Sequence, residues 1–250
     1  MSPLRVAVMG ADGRMGEETC RAVEAANDLK LVARIDRAGS ARNAKDADAS
    51  IVVDFTEPSS VLANVRSVLE LGMHSVVGTS GFDNERLAIV GELAQHHPSI
   101  GVVVAPNFAV GSALLMRFAR EAASHFETVE IVELHHRDKL DAPSGTAVHT
   151  AEQIAVARGD ARPFDAPDAT VHEMPGARGA LVSGIRVHSV RLRGLVAHEE
   201  VLFGSAGETL TLRHDSLDRS AFMPGVLLAI RTVASRPGLT VGIESLLGLT

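Results

Sequence analysis

A chain of 250 residues can hold one large domain or two modest ones, and 46% hydrophobic with 22% charged residues is ordinary globular composition. The formal net charge of −7 and the lack of Trp and Tyr argue against a nucleic-acid-binding surface. The sequence has no signal-peptide pattern in residues 1–8 and no apolar run near the ~18 residues of a membrane span. With a single cysteine, Cys20, it suits a reducing compartment, so we expect a cytoplasmic protein without a membrane partner.

The first motif is a glycine turn between a strand and a helix. Arg5–Met9 is an apolar run of strand type, the glycines of the turn follow, and a helical pattern covers residues 15–26. Gly10 permits a tight turn, Gly13 the close approach of a phosphate, and Gly16 close packing of helix on strand. This is the context of a dinucleotide-binding fingerprint, although the commoner fingerprint has glycine at Asp12. A glycine turn that merely ends a strand is the alternative.

The second strand carries a further cofactor signal. Leu29–Ile35 is apolar and ends in Asp36 and Arg37, and Asp36 lies 20 positions after Gly16. An acidic residue there can accept hydrogen bonds from the adenosine ribose, and an adjacent arginine can pair with a ribose phosphate. We therefore expect tolerance of both NADH and NADPH. A solvated strand end is the alternative for either residue.

Strands and helices then alternate. The predicted strands cover residues 50–55, 75–77 and 100–105, and the predicted helices cover 59–71 and 84–97. This alternation predicts an α/β fold with a Rossmann-like, doubly wound parallel sheet, in which ligands lie beyond the carboxyl ends of the strands. Residues 78–80 lie at such an end and are placed to pass close to a nicotinamide; an ordinary turn is the alternative.

After Asn107 the pattern changes to α+β. Residues 111–125 read as a helix, 128–135 as a strand, 159–184 as a long loop, and 185–193, 197–203 and 208–214 as consecutive strands of a mixed or antiparallel sheet. A helix over 221–235 and an apolar tail over 239–247 close the chain, and the tail is able to rejoin the first domain. We therefore predict a discontinuous dinucleotide-binding domain, 1–106 and 216–250, and a substrate-binding and oligomerisation domain, 107–215.

The chemically richest stretch runs from Glu133 to Thr146. His135, His136 and Lys139 fall within five positions and are followed by a turn and a helix start. Main-chain N–H groups and the helix dipole favour an anion there, and Lys139 adds a positive charge. We interpret the stretch as a site that binds a carboxylate and moves a proton; a polar strand end with a solvated lysine is the alternative for each residue.

A metal site in this stretch is rejected. Adjacent strand residues point to opposite faces, so His135 and His136 cannot easily share an ion. Because Cys20 is the only cysteine, thiolate clusters are excluded.

These residues carry a family resemblance. The run from Glu133 to Ala147 resembles the signature of the dihydrodipicolinate reductase family, and residues 10–16, 54–56, 78–82 and 105–108 are similar to that family's cofactor segments in the same order. The resemblance extends over the whole chain. It implies NAD(P)H-dependent hydride transfer to a cyclic, imine-conjugated dicarboxylate in the diaminopimelate route to lysine, by an enzyme that is usually tetrameric through the sheet of its second domain.

The resemblance also implies roles for individual residues. The pyrophosphate would be held by Gly10, Ala11, Asp12, Gly13, Arg14 and Met15, and the adenosine ribose by Asp36 and Arg37. The nicotinamide and its ribose would be flanked by Gly78, Thr79, Ser80, Ala105, Pro106, Asn107 and Phe108. His135 would donate or accept a proton, Lys139 would be a second proton donor, and the substrate would be bound by His136, Ser144, Gly145 and Thr146.

Two other functions remain open at this level. A nicotinamide-binding sensor would use the same fold without chemistry, and a related oxidoreductase would act on another small carbonyl or imine. Aldehyde oxidation through a thioester would need a cysteine at the site, and Cys20 is misplaced for it. The sequence leaves open the choice of NADH or NADPH, the oligomer count, the final proton donor, and whether a hydroxylated precursor is dehydrated on the protein.

Overall fold

The computed structural model describes residues 2–79, 81–159 and 169–248 and divides into two compact units. The first unit comprises Met1–Val110 and Arg219–Thr250, and the second comprises Gly111–Asp218. The assignment of one unit to the cofactor and of the other to the substrate stays a prediction.

The elements of the first part of the chain alternate strictly. They are β1 (Leu4–Met9), α1 (Arg14–Ala25), β2 (Leu29–Ile35), α2 (Ala41–Asp46), β3 (Ile51–Asp54), α3 (Val61–Glu70), β4 (His74–Val77), α4 (Asn84–Gln95) and β5 (Gly101–Val104). The later elements are α5 (Val110–Ala122), β6 (Thr128–His135), α6 (Gly145–Arg158), β7 (Ala180–Val182), β8 (Ile185–Arg191), β9 (Ala197–Ser205), β10 (Glu208–Ser216), α7 (Met223–Thr232) and β11 (Gly238–Val241).

A parallel sheet forms the centre of the first unit. Among the described residues it has six strands in the order β11-β5-β4-β3-β1-β2, and every neighbouring pair is parallel. Strands β3 and β5 are buried at every position, as expected for parallel strands whose two faces are covered by helices. The strand order reverses at β1 and β3, and the crevice beside such a reversal is where doubly wound sheets bind ligands.

A mixed sheet forms the centre of the second unit. In the part of the chain that the structure describes, its order is β10-β9-β6-β8-β7, with β6 and β8 parallel and the other pairs antiparallel. One face carries the core, to which α5 contributes Leu115 and Met116 and α6 contributes Ala151 and Ile154. The predicted fold class, a Rossmann-like parallel sheet with a second α+β unit, is thus confirmed.

Three details of the predicted elements need correction. The short helix α2 was not predicted, since its six residues are mostly polar. The loop predicted over 159–184 contains strand β7, which pairs with β8, while residues 160–168 of it lie outside the described ranges. The helix predicted over 221–235 is α7 flanked by 3-10 turns at 219–222 and 233–235. The apolar tail, by contrast, rejoins the first unit as expected, because its β11 pairs with β5.

None of the helices in the described ranges is both long and apolar enough to cross a lipid bilayer.

The packing of α1 on β1 requires glycine at position 16. A Cβ atom there would lie 2.0 Å from the main-chain oxygen of Gly10, so Gly16→Ala must push the helix away from the glycine turn. We expect a loss of about 2 kcal/mol or more in the free energy of unfolding, measured by urea denaturation. The matched control is Gly91→Ala in α4, where the nearest atom to a Cβ is a side-chain carbon of Leu239 at 3.8 Å. There helix propensity makes the change neutral or stabilising by up to about 1 kcal/mol; equal losses in the two variants would contradict the packing role of Gly16.

Candidate active site

The register of the first unit's sheet aligns five strand ends. Met9 pairs with both Ile35 and Asp54, Asp54 pairs with Val77, and Val77 pairs with Val104. The residues that follow these strands are Gly10, Asp36, Phe55, Gly78 and Ala105. Four of them donate their main-chain N–H to the carbonyl of the last residue of a neighbouring strand. For example, the Gly10 N–H donates to Ile35 at 2.9 Å, and the Ala105 N–H donates to Val77 at 3.0 Å. The sheet therefore brings most of the sequence-predicted cofactor segments to one edge.

A cleft of about 600 Å³ opens at this edge beside β1 and β3. Its lining residues are Met9, Gly10, Asp12, Gly13, Asp36, Arg37, Gly39, Phe55, Thr56, Glu57, Ser60 and Asn64. Gly10 has φ of +73°, and a Cβ atom there would lie 2.6 Å from the carbonyl oxygen of Phe55. The bare main chain, followed directly by the start of α1 at Arg14, fits a pyrophosphate at a helix N-terminus.

The predicted cofactor residues of this region divide into two groups. Gly10, Asp12, Gly13, Asp36 and Arg37 line the cleft. Ala11 is fully buried, and Arg14 and Met15 open helix α1.

A buried carboxylate, Asp54, holds the loops beside the cleft. Its Oδ1 accepts hydrogen bonds from the Thr56 N–H at 2.8 Å, the Thr56 hydroxyl at 2.6 Å and the Thr79 hydroxyl at 3.0 Å. Its Oδ2 accepts from Asn64 Nδ2 at 2.9 Å. The predicted cofactor residue Thr79 is thus tied to the end of β3, while its neighbour Ser80 lies outside the described residues.

The last cofactor segment, residues 105–108, follows β5. Ala105 and Phe108 are buried, and the Phe108 ring meets the Phe55 ring edge to face with centroids 6.1 Å apart. Asn107 accepts a hydrogen bond from the Ala109 N–H at 2.9 Å, which fixes the turn, and Pro106 is exposed. Phe55 and Phe108 therefore give the edge an apolar wall next to Gly78.

In the second unit, the predicted catalytic residue His135 is fixed by Glu133. Both lie on β6 two positions apart, so their side chains share a face, and His135 Nδ1 lies 2.5 Å from Glu133 Oε2. Arg191 on β8 donates to both oxygens of the same carboxylate, at 2.8 and 2.7 Å. The main-chain N–H of Ser144 donates to Glu133 Oε1 at 3.1 Å. A single carboxylate thus joins two strands and the start of α6.

The protonation state of this cluster follows from its contacts. Glu133 is fully buried, which by itself raises its pKa, but hydrogen bonds from His135, Arg191 and Ser189 outweigh burial and lower the pKa to about 2. An ionised carboxylate only accepts hydrogen bonds, so Nδ1 of His135 must carry a proton. In the neutral ring Nε2 is then left as the acceptor, and the side chain is 13% exposed, which leaves access for a proton.

The predicted anion site at the start of α6 already holds a carboxylate of the chain. Lys139 Nζ lies 2.8 Å from Asp141 Oδ1, and the N–H of Gly145 donates to Asp141 Oδ2 at 3.2 Å. Ser144 caps the helix, since its hydroxyl accepts from the Ala147 N–H at 3.1 Å. Burial raises the pKa of Asp141, but the contact with Lys139 outweighs it and holds that pKa below the usual range. Lys139 and the first main-chain N–H of the helix therefore both contact the carboxylate of Asp141, and their binding of a substrate carboxylate stays a prediction.

The two remaining substrate candidates flank this arrangement. His136 directly follows β6, and Thr146 lies in the first turn of α6. Both are partly exposed. Among the described residues, no group of three or more His, Cys, Asp or Glu side chains is placed to hold a metal ion.

A second buried acid, Glu199, lies next to the cluster on β9. It is paired in register with Glu133 and is 4% exposed. Burial raises its pKa to about 7, the negative charge of Glu133 contributes to the rise, and a hydrogen bond with Thr150 opposes it. Glu199 is therefore largely protonated below neutral pH.

Sequence reasoning missed the residues that hold the predicted ones in place. Glu133 had a local signal, since it lies two positions before His135 on a strand. Asp141 lies two positions after Lys139, in the turn that precedes the helix start. Arg191 and Glu199 have no short-range signal, because they lie 58 and 66 residues beyond Glu133 and meet it only through strand pairing.

Comparison with known proteins identifies the class first. The family model described as dihydrodipicolinate reductase, N-terminus, matches residues 4–108, and the model of the C-terminus matches residues 111–247. The two matches together define the class of protein as a nicotinamide-dependent oxidoreductase, whose N-terminal half is the Rossmann-type domain.

Individual relatives cover the whole chain. The 4-hydroxy-tetrahydrodipicolinate reductases of Cutibacterium acnes and Streptomyces griseus are 56% and 55% identical to it, over 98% and 100% of this chain and 99% and 100% of theirs. A solved structure, dipicolinate-bound dihydrodipicolinate reductase from Paenisporosarcina sp. TG-14, has a TM-score of 0.83 at 37% identity and covers 97% of this chain and 99% of that chain. The chain belongs to the dihydrodipicolinate reductase family, and the resemblance inferred from its motifs is confirmed.

The buried pair of acids makes stability depend on pH. Glu199 has a pKa of about 7 in the folded protein against an ordinary 4.5. Its contribution to the free energy of unfolding is therefore full below pH 4.5 and is lost as pH rises through about 7. Glu199→Gln removes the titrating group. We expect the stability of the variant relative to wild type to rise by up to about 3 kcal/mol between pH 4.5 and 8.5. Urea unfolding at both pH values measures this change, and a difference that does not vary with pH would show that Glu199 does not titrate in this range.

Proposed function

We propose that this chain is a cytoplasmic 4-hydroxy-tetrahydrodipicolinate reductase, which uses NADH or NADPH to reduce dihydrodipicolinate to tetrahydrodipicolinate. The observation that carries the proposal is the cluster around Glu133, in a chain of this family. One end of β6 presents a histidine with a fixed Nδ1 proton, and the adjoining helix start and Lys139 bind a carboxylate. That combination suits protonation of a small dicarboxylate.

The first unit would hold the cofactor. Gly10 to Gly13 and the start of α1 would bind the pyrophosphate, Asp36 and Arg37 the adenosine ribose, and the edge formed by Gly78 and residues 105–108 the nicotinamide end. When bound, the reduced nicotinamide supplies a hydride. The apolar wall of Phe55 and Phe108 would exclude water from that end of the edge.

The second unit would hold the substrate. The Paenisporosarcina relative is described as dipicolinate-bound, and dipicolinate is a planar dicarboxylate. In this chain one substrate carboxylate would take the place of the Asp141 carboxylate between Lys139 and the Gly145 N–H, with Thr146 and His136 beside it. The Ser144 N–H stays with Glu133, so Ser144 would position the helix start instead of binding substrate through that group.

Two groups would supply the proton that follows hydride addition. Lys139 carries an ammonium beside the carboxylate site and would donate a proton or stabilise developing charge. His135 would relay protons through Nε2, because Nδ1 is held by Glu133. Since Glu133 is ionised and also paired with Arg191, it would orient the ring without taking the proton itself.

A turnover assay tests the proposal directly. The purified chain is mixed with NADH, or separately with NADPH, and the condensation product of pyruvate and aspartate semialdehyde, and loss of reduced cofactor is followed by absorbance. We expect substrate-dependent oxidation. Cofactor binding without turnover would favour the sensor, and turnover only with another imine or carbonyl would favour the related oxidoreductase.

Lys139→Ala tests the role of the lysine. If Lys139 acts as general acid, kcat should fall by roughly 10²–10⁴-fold. The matched control is Lys45→Ala, which removes an exposed lysine from α2 in the first unit and should leave kcat and KM unchanged. A higher KM with intact kcat would reduce Lys139 to a substrate anchor.

We also propose that the chain assembles as a homotetramer through the open face of its second sheet. This face, opposite the helices α5 and α6, is formed by alternate residues of β6, β7, β8, β9 and β10. It exposes Leu202 and Leu181 and carries the ion pairs of Glu130 with Arg178 and of Arg213 with Glu200. Exposed apolar groups among paired charges are typical of a subunit interface.

Leu202→Arg tests this interface. A charge placed at Leu202, in the middle of β9, should prevent burial of the face and shift the assembly to dimers or monomers in sedimentation analysis. Val156→Arg on α6 is the matched control, since Val156 is 78% exposed in the same unit but lies in the helix layer. An unchanged sedimentation coefficient for Leu202→Arg, or an equal shift for Val156→Arg, would contradict the proposed surface.

A further inference from the structure

The cleft of the first unit contains an ion pair that the proposed function does not use. Its charged lining groups are three carboxylates, Asp12, Asp36 and Glu57, and one guanidinium, Arg37. Arg37 Nη2 lies 2.7 Å from Glu57 Oε1. The cation expected to bind a ribose phosphate is therefore already paired with an acid of the chain.

The fold places this pair beside the adenosine end of the cleft. Arg37 follows β2 and Glu57 follows β3, and these strands flank β1 on its two sides. The ends of both strands are aligned with Met9, directly before the glycine turn. The Arg37–Glu57 pair thus bridges the loops on either side of Gly10.

We propose that Glu57 is a specificity-determining residue, which lowers the affinity for the phosphorylated cofactor by occupying Arg37. The inference rests on the proposed function, because it takes the cleft to be the adenosine site. A 2′-phosphate would have to separate Arg37 from Glu57 and then lie close to the released carboxylate. A ribose without the phosphate needs neither step.

Asp36 strengthens the same preference. One oxygen of its carboxylate accepts the Ala38 N–H at 2.9 Å, which fixes the side chain at the end of β2. A carboxylate in this place accepts hydrogen bonds from ribose hydroxyls and repels a phosphate. Arg37 is thus the sole cation among the cleft-lining residues that the structure describes, and Glu57 controls whether it is available.

Removal of the Glu57 charge should leave the fold intact. The two side chains are 91% and 63% exposed, and exposed ion pairs contribute little to stability. Their influence on a charged ligand is larger, since one unit of charge near a phosphate changes affinity by roughly tenfold.

The test measures binding of two cofactor fragments by calorimetry, without turnover. Glu57→Gln should tighten binding of adenosine 2′,5′-bisphosphate by roughly tenfold and change binding of adenosine 5′-monophosphate by less than about twofold. In an Arg37→Gln background the same substitution should give a clearly smaller gain, because there is no guanidinium to release.

Asp46→Asn is the matched control. It removes one negative charge from a side chain that is also 63% exposed and pairs with an arginine, Arg42, in the first unit but outside the cleft. It should leave binding of both fragments unchanged, and an equal gain with this variant would attribute the effect to net charge.

The remaining outcomes separate this proposal from the proposed function. Equal tightening of both fragments by Glu57→Gln, no tightening of either, or the same gain with and without Arg37 would overturn the role of Glu57 and leave the reductase activity standing. If neither fragment binds to the wild-type chain or to Glu57→Gln, the adenosine site itself is wrong and the proposal falls with it. Absence of reductase turnover with the predicted fragment preference would overturn the activity alone.

Discussion

The second unit's site depends on the buried carboxylate of Glu133. A fully buried charge is tolerated only when it is paired and hydrogen-bonded, and here the partners are His135, both terminal nitrogens of Arg191, and the Ser144 N–H. They come from β6, from β8 and from the start of α6. Because one group satisfies all of them, the position of the helix start, the orientation of the histidine ring and the charge of Arg191 are coupled. Glu199 adds a second acid whose ionisation is opposed by this charge.

In the first unit, the site is organised by the register of the parallel strands. Parallel strands of unequal length, β1 to β5, end side by side because Met9, Asp54, Val77 and Val104 are paired in succession. Segments far apart in sequence therefore reach one edge, and Asp54 ties two of the loops together. This edge presents bare main chain at the glycine turn, charged groups beside the turn, and aromatic rings further along. Such a sequence of surfaces suits a dinucleotide.

Much of this was predictable from local patterns. Apolar runs, glycine turns and the spacing from Gly16 to Asp36 predict the parallel sheet and its cofactor edge, and β6 ends at His135 as expected from the sequence. What escaped prediction is set by pairing over long distances. Short β7 is defined by its bonds to β8. Arg191, the partner of Glu133, and Glu57, the partner of Arg37, are likewise brought into contact only by the fold. Local sequence identifies groups that can react, whereas tertiary structure decides which charges they meet.

The most direct measurement is the tautomer of His135. Nitrogen-15 NMR of the histidine-labelled wild-type chain, with His135 assigned by comparison with His135→Asn, reports which ring nitrogen is protonated when the ring is neutral. If Glu133 fixes the ring, Nδ1 carries the proton and Nε2 is bare. A proton on Nε2, with Nδ1 bare, would mean that Glu133 does not accept a hydrogen bond from His135, and the cluster would not be the organiser of this site.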